Sequence, residues 1–298
     1  YLAAGYLGAP ALADLIDTTR NLTDHPFGVN LFVPEACRRI DLSAYAASLR
    51  PDAERLGAAI PEPDWSDTDH WADKVELLCA RPVAVVSFTF GLPDEAVVER
   101  LRAAGSTLVA TVTTLTEAQA AVERGLDALC VQGPGAGGHR ATHHVADEPD
   151  DTPLAELLSA VHGSVDVPLI AAGGVAGAAG VEELLDHGAV AVQVGSLFLR
   201  CDEAGTNPTH RRALTEDREP VLTRAYSGRP ARGLRNHFID AHHDAPPAYP
   251  QVNQLTGPIR RRAAATGDTE TLHLWAGTGY RAAREVSAAE VVASLRPR

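Results

Sequence analysis

The sequence predicts an α/β protein of the (βα)8, or TIM-barrel, class. Short apolar segments alternate with amphipathic helical segments along most of the chain, and this order is typical of parallel βαβ units. Most of the apolar segments are continuous, as expected for strands that are buried on both faces of a sheet. A length of 298 residues suits one barrel with additional segments.

Seven strands are predicted. Six are at residues 27–33, 83–90, 107–113, 128–132, 168–172 and 190–195, and a seventh ends at residues 2–4. A closed barrel has eight strands. We therefore expect the first strand of the barrel to lie before Tyr1, in agreement with the lack of an initiator Met. An open, doubly wound sheet is the alternative, and the strand count separates the two only weakly.

Helices are predicted between these strands at residues 9–20, 93–104, 117–124, 153–161 and 180–186, and near the end of the chain at 287–295. Thr116, Thr152 and Ser287 are the expected N-caps, because a hydroxyl oxygen at that position can accept a hydrogen bond from a free N–H group of the first turn.

Two regions do not follow the strand–helix repeat. Residues 34–80 form a mainly helical insertion, and residues 201–298 form a C-terminal extension with segments rich in Pro and Gly. No long flexible linker separates them from the repeat. We therefore predict one domain, residues 1–298, in which these additions form a lid or a helical subdomain.

Composition narrows the class of function. The net charge is −13 and Lys74 is the only lysine, so a nucleic-acid partner is not expected. No apolar segment approaches the roughly 18 residues needed to cross a membrane, and no signal peptide is recognisable. The four cysteines have no C-x-x-C spacing, which favours a reducing cytoplasm and argues against a structural zinc site. No metal site is predicted.

The most informative motif is the glycine-rich segment 131–140, which follows a predicted strand directly. In a barrel, the carboxyl ends of the strands carry the active site. Glycines allow backbone N–H groups to approach a ligand closely, and His139 ends the glycine run. Gln132 is a polar residue at the end of an apolar strand and needs a partner. The alternative is a flexible loop with a surface histidine.

Two further glycine turns occur at residues 170–175 and 192–198, after the strands that would be the seventh and eighth of a barrel. The loops after these strands often bind a phosphate group through backbone N–H groups. Such a site needs no cationic side chain, which suits an acidic chain. The alternative is that both are simple tight turns.

Several segments in order resemble the nitronate monooxygenase family, formerly called 2-nitropropane dioxygenases. They are residues 26–33, 87–91, 131–139, 171–174, 193–196, 227–236 and 274–277. The resemblance covers nearly the whole chain. It implies an FMN-dependent barrel that oxidises alkyl nitronates, such as propionate 3-nitronate, with O2 to a carbonyl compound and nitrite.

The resemblance also implies roles for individual residues. His139 matches the family histidine that abstracts a proton from neutral nitroalkanes or orients the substrate. The residues expected to contact FMN are Asn30, Gln132, Gly137, Gly138, Gly173, Gly174, Gln193, Val194, Gly195 and Ser196. Of these, Gly174 and residues 193–196 are expected to hold the phosphate.

The sequence departs from the family pattern at three positions, of which one, Ser196, is among the predicted FMN contacts. Gly135 stands where Glu is usual, Ser196 where Thr is usual, and Thr278 where Gln is usual. The small residues of the family's first strand, which pack by the flavin ring, are not in this sequence.

Other side chains compete for a role at the site. His143 and His144 are rival bases, although neighbours of a catalytic histidine are more often bystanders. The aromatic residues that could line a pocket, or simply belong to the core, are Trp65, Trp71 and Tyr280.

Three other functions stay open at this point. One is an NAD(P)H-dependent quinone or enoyl-thioester reductase of the same flavin-barrel superfamily. The second is an inactive fragment or a relic that binds a partner. The third is a phosphosugar enzyme that uses the same phosphate loops, and the lack of a suitable Lys disfavours it. The oligomeric state is open between monomer and homodimer.

Overall fold

The computed structural model describes residues 1–35 and 39–297 and contains a curled, seven-stranded parallel sheet that forms a half-barrel. The strands of the protein are β1 (Leu2–Ala3), β2 (Gly28–Phe32), β3 (Val85–Thr89), β4 (Thr107–Val112), β5 (Ala128–Gln132), β6 (Gly138–His139), β7 (Leu169–Ala172), β8 (Ala191–Gln193), β9 (Pro220–Thr223) and β10 (Ala231–Leu234). The half-barrel has the order β1-β2-β3-β4-β5-β7-β8, with all neighbours parallel. The predicted fold class and all seven predicted strands are therefore confirmed.

The two edges of this sheet are β1 and β8. Side chains at both edges are exposed: Val190, just before β8, is 66% exposed, and Tyr1 is 54% exposed. The described residues contain no eighth strand between these edges.

Helices cover the strands on the outside of the sheet. The helices are α1 (Ala9–Leu22), α2 (Ser43–Ser48), α3 (Arg50–Leu56), α4 (Trp71–Ala80), α5 (Glu95–Ala103), α6 (Leu115–Glu123), α7 (Leu154–His162), α8 (Ala178–Asp186), α9 (Pro208–Ala213), α10 (His237–Ala241), α11 (Gln251–Thr266) and α12 (Ala288–Ser294), with 3-10 helices at Ser196–Arg200 and Tyr280–Ala282. None of the helices in the described ranges is long and apolar enough to span a bilayer.

Two of the three predicted N-caps are wrong. Helix α6 begins earlier than predicted because Thr114, not Thr116, accepts a hydrogen bond from the backbone N–H of Glu117. Thr152 does not cap α7, because Pro153 occupies the N-cap position without a side-chain hydrogen bond. Ser287 is confirmed as the N-cap of α12, where it forms a reciprocal capping box with Glu290.

A second sheet was not predicted. It is antiparallel and has the order β6-β10-β9. Ala231 of β10 pairs with His139 of β6, and the backbone N–H of Arg140 donates to the carbonyl oxygen of Pro230 at 2.8 Å. The C-terminal extension therefore holds the backbone of the glycine-rich loop that carries His139.

The insertion and the extension share a hydrophobic core that is separate from the barrel core. Leu49 and Leu56 of the insertion belong to the same buried cluster as Val252 and Ile259 of α11. These two parts of the chain therefore pack on each other, as expected for a helical subdomain. The single-domain organisation stays a prediction.

Lys74 on α4 is buried, with only 1% of its side chain exposed. Its Nζ lies 2.7 Å from Asp69 Oδ2 and donates to the carbonyl oxygen of Ala4 at 2.7 Å. Asp69 in turn accepts a hydrogen bond from the backbone N–H of Tyr6 at 2.7 Å. Lys74 and Asp69 therefore fix the loop that follows β1 against the insertion.

Replacing Lys74 with Met is expected to lower the free energy of unfolding by about 3 to 5 kcal/mol, because Asp69 loses its buried counter-ion. Urea unfolding measures this change. Arg235→Met is a matched control, since Arg235 pairs with Glu219 at 3.0 Å on the surface, and such pairs contribute about 1 kcal/mol or less. Equal losses in the two variants would contradict the structural role of Lys74.

Candidate active site

A cleft of about 160 Å³ lies at the carboxyl ends of β5, β7 and β8. None of the residues that line it carries a charge, and many are glycines. The lining residues are Gln132, Ala136, Gly137, Ala172, Gly173, Gly174, Val175, Gln193, Val194, Gly195, Ser196 and Gly279. The structure thus brings together eight of the ten residues predicted to contact FMN. The other two, Asn30 and Gly138, do not line this cleft.

The backbone around Gly195 forms an open cradle at this cleft. A Cβ atom built on Gly195 would meet no atom within 4 Å. Within the described ranges, the N–H groups of Gly174, Gly195 and Ser196 donate to no backbone oxygen. The Ser196 hydroxyl accepts a hydrogen bond from the N–H of Gly277 at 2.8 Å, and its own proton stays available for a ligand. Free N–H groups without a nearby carboxylate fit a phosphate group.

Residues 276–278 of the extension pack directly against the glycine-rich loop. A Cβ on Gly137 would lie 2.3 Å from the backbone nitrogen of Gly277, so only glycine allows this approach. The N–H of Thr278 donates to the carbonyl oxygen of Gly135 at 3.0 Å, and a Cβ on Gly135 would lie 2.8 Å from Thr278 Oγ1. The departures from the family pattern at positions 135 and 278 are therefore in contact.

Gln132 also organises the glycine-rich loop. Its Nε2 donates to the carbonyl oxygen of His139 at 3.1 Å, and its Oε1 accepts from the N–H of Ala141 at 3.0 Å. The side chain of Gln132 was expected to need a polar partner. It finds this partner in the backbone of His139 and Ala141, on either side of Arg140. Gln132 lines the cleft while it holds this backbone in place.

Asn30 lies in a second cavity, inside the half-barrel. Its Oδ1 accepts hydrogen bonds from Ser87 Oγ at 2.9 Å and from Thr89 Oγ1 at 3.0 Å. Gln132 and Gln193 line this cavity as well as the cleft. The cavity and the cleft are therefore adjacent, and Asn30 lies on the barrel side of the predicted FMN residues.

His139 stands in an aromatic pocket beside the cleft. Three rings surround it, with centroids at 5.5 Å for Phe90, 5.8 Å for Tyr249 and 5.7 Å for Trp275. Its Nε2 lies 2.8 Å from Ser227 Oγ. Burial, and to a smaller extent the charges of Arg229 and Arg260, lower the pKa of His139 from 6.5 to about 3. The imidazole is therefore neutral at physiological pH.

Arg229 places a positive charge behind this aromatic pocket. Only 1% of the residue is exposed, and its guanidinium lies 4.1 Å from the centre of the Phe90 ring. One nitrogen donates to the carbonyl oxygen of Thr142 at 2.6 Å, and another lies 3.5 Å from Glu35. Burial lowers the pKa of Arg229 to about 10, so the guanidinium remains charged at neutral pH.

The rival histidines have other partners. His144 is 70% exposed and lies 3.1 Å from Glu35, while His143 Nε2 lies 3.3 Å from the carbonyl oxygen of Thr111. Two aromatic candidates are structural: Trp71 packs on the barrel core, and Tyr280 is buried.

Sequence reasoning assigned no role to the residues that surround His139. Phe90, Ser227 and Arg229 lie within segments that resemble the family. The resemblance therefore marked these segments but implied no role for these three residues. Nothing in the sequence pointed to Tyr249.

In the described part of the chain, no group of three or more His, Cys, Asp or Glu residues is placed to hold a metal ion. Cys79, Cys130 and Cys201 are free thiols, and Cys37 lies outside the described residues.

Comparisons with known proteins agree with this geometry. The family model described as nitronate monooxygenase matches residues 1–297. A probable nitronate monooxygenase of Staphylococcus saprophyticus is 35% identical, over 96% of this chain and 83% of the relative. A second one, of Staphylococcus aureus strain Newman, is 34% identical, over 99% of this chain and 85% of the relative.

Solved structures give the same result. A nitroalkane oxidase from Streptomyces ansochromogenes is 41% identical and superimposes with a TM-score of 0.93, over 99% of this chain and 86% of that one. FabK from Thermotoga maritima superimposes with a TM-score of 0.72 at 24% identity, over 97% of this chain and 80% of that one, which is a likeness of fold alone. The chain therefore belongs to the nitronate monooxygenase family of flavin-dependent oxidoreductases.

Proposed function

We propose that this protein binds FMN and oxidises alkyl nitronates with O2 to a carbonyl compound and nitrite. The observation that carries the proposal is the uncharged, backbone-lined cleft beside the neutral His139. The cleft suits a phosphate monoester, and the histidine pocket is the adjacent place for a small substrate.

The N–H groups of Gly174, Gly195 and Ser196 would hold the phosphate of FMN. Asn30 and Gln193 would face the rest of the cofactor from the barrel side. When bound, FMN accepts electrons from the substrate and passes them to O2. Gln132 and the contact of Gly277 with Gly137 keep the loop in the shape that this binding requires.

The charges around the pocket favour an anionic substrate. Arg229 lies behind the Phe90 ring, and its charge and that of Arg260 both act on His139. An alkyl nitronate is an anion, so the positive charges of Arg229 and Arg260 lower its energy in the pocket. The neutral His139 can orient the nitronate, or it can accept a proton from a neutral nitroalkane.

The visible spectrum of the purified protein with FMN tests the cofactor, and nitrite release from propionate 3-nitronate under air tests the reaction. We expect bound-flavin bands and one nitrite for each nitronate consumed. Rapid anaerobic bleaching of the flavin by NADH without nitrite release would instead support a reductase. A colourless protein in excess FMN would support an inactive fragment. The cytoplasmic location and the oligomeric state stay predictions.

Replacing Gly195 with Ala should weaken FMN binding without affecting folding. The new methyl group meets no protein atom within 4 Å but stands at the cleft. The methyl group would occupy space next to the phosphate and move it away from the backbone N–H groups. Loss of one charge-assisted hydrogen bond in this way would raise the Kd about 10- to 100-fold. Titration of FMN fluorescence measures the Kd. Gly205→Ala is the control, because a Cβ at Gly205 also meets no atom within 4 Å and Gly205 is not among the residues that line the cleft. Equal affinities of the two variants for FMN would contradict the proposal that the backbone at Gly195 holds the phosphate.

A further inference from the structure

The hydrogen bonds of Ser227 determine which nitrogen of His139 carries the proton. The Ser227 hydroxyl is buried, with 1% of the residue exposed, and three polar atoms lie around it. These are His139 Nε2 at 2.8 Å, the carbonyl oxygen of Arg229 at 3.2 Å and the backbone N–H of Arg229 at 3.3 Å. A hydroxyl group donates one hydrogen bond and accepts two.

Only one assignment satisfies all of these atoms. The backbone N–H of Arg229 can only donate, and its carbonyl oxygen can only accept. Within the described ranges no other group donates to that carbonyl oxygen. The Ser227 proton must therefore go to Arg229 O, since a buried carbonyl without a donor is unfavourable. Ser227 Oγ then accepts from Arg229 N–H and from His139 Nε2–H.

We propose that Ser227 is a positioning residue that holds His139 in the Nε2–H tautomer and leaves the Nδ1 lone pair free for the substrate. No hydrogen bond to Nδ1 is formed by the parts of the chain that the structure describes. Burial of the ring, with a smaller contribution from the positive charges of Arg229 and Arg260, keeps the imidazole neutral, so it is present as one of two neutral tautomers.

This tautomer defines a direction for proton transfer. With a neutral nitroalkane, the C–H bond next to the nitro group breaks, the proton goes to Nδ1, and the electron pair stays on the nitronate. The imidazolium keeps its Nε2–H bond to Ser227 Oγ throughout, as the ring partner of a general base usually does. The inference deepens the proposed function and depends on it for the reaction, but the tautomer can be measured without turnover.

Long-range ¹H–¹⁵N NMR of the FMN-loaded protein at pH 7 reads the tautomer directly. His139 is assigned by the signals that are missing in His139→Gln. We expect a protonated Nε2 and an unprotonated Nδ1. A protonated Nδ1 would overturn the inference, whether or not the protein releases nitrite. A protein with the expected tautomer but without nitrite release would refute the proposed function alone.

Kinetics of Ser227→Ala give a second, independent result. We expect the ratio of kcat/KM for neutral nitroethane to kcat/KM for ethyl nitronate to fall at least about tenfold, because the base loses its fixed tautomer. Ser227→Thr, which keeps the hydroxyl, should restore most of this ratio. An unchanged ratio in Ser227→Ala, with the protein folded by circular dichroism, would refute the positioning role.

The chain offers a matched control for the loss of a serine–histidine contact. Ser159 Oγ lies 2.7 Å from His187 Nδ1 on the exposed surface. Ser159→Ala should change the ring signals of His187 and leave both the His139 signals and the kinetic ratio as they were. A similar fall of the ratio in Ser159→Ala would show that the effect is not specific to Ser227.

Discussion

Replacing His139 with Gln is expected to lower kcat/KM for a neutral nitroalkane by about 10²- to 10⁴-fold relative to kcat/KM for the matching nitronate, because only the neutral substrate needs a base. Initial rates of nitrite formation with both substrates measure this ratio. Gln keeps a polar group near Ser227 and the three rings, so the change mainly removes the basic nitrogen.

His144→Gln is the control for this experiment. His144 is 70% exposed and pairs with Glu35, so the ratio should stay close to that of the unchanged protein. The pKa of about 3 for His139 adds a second expectation: no loss of the base should occur as the pH falls from 8 to 5. A base that titrates near pH 6.5, or a ratio unaffected by His139→Gln, would contradict the assignment.

Acid is expected to destabilise the folded protein steeply. Burial lowers the pKa of His139 to about 3, that of His210 to about 4, and that of His273 well below 6.5. The unfolded chain protonates all three near pH 6.5, so below that pH it binds more protons than the folded chain. The stability from these neutral rings is complete above pH 6.5 and is lost as the pH falls toward 4.

Each histidine contributes up to about 1.4 kcal/mol per pH unit in this range, so the three together contribute up to about 4 kcal/mol per pH unit. Urea unfolding at pH 7, 6 and 5 measures the slope. His210→Gln should remove about a third of the histidine contribution, whatever its effect at pH 7. The surface variant His25→Gln serves as the control. Identical slopes for the two variants would show that His210 is not held neutral in the fold.

The half-barrel was predictable because its strands are local signals. Each of β2 to β5 is a mainly apolar run between turn residues, as expected for strands that are covered on both faces, and polar residues such as Asn30 and Ser87 interrupt the runs only singly. The second sheet was not predictable. Its strand β6 has only two residues, Gly138 and His139, and β10 reads Ala-Arg-Gly-Leu without apolar alternation. Pairing of distant segments, not local propensity, creates this sheet.

The same distinction applies to the site. The glycine turns that contain Gly174 and Gly195 come directly after strands. Their position at the cleft could therefore be predicted from the order of the elements in the sequence. The pocket of His139 depends on contacts that close only in three dimensions: Tyr249 and Trp275 come from the extension, and Phe90 comes from the end of a barrel strand. Sequence spacing contains no information about such long-range contacts.

The contact between Gly135 and Thr278 means that the side chain at each of these positions limits the size of the side chain at the other. A carboxylate side chain at position 135 would overlap Thr278 Oγ1 and the Cα of Gly174, which a Cβ alone already approaches to 2.8 and 2.9 Å. The Glu and Gln that the family resemblance gives for positions 135 and 278 would therefore require a different local packing. Gly135→Glu alone should damage the cleft, whereas its combination with a smaller residue at position 278 should recover part of the loss.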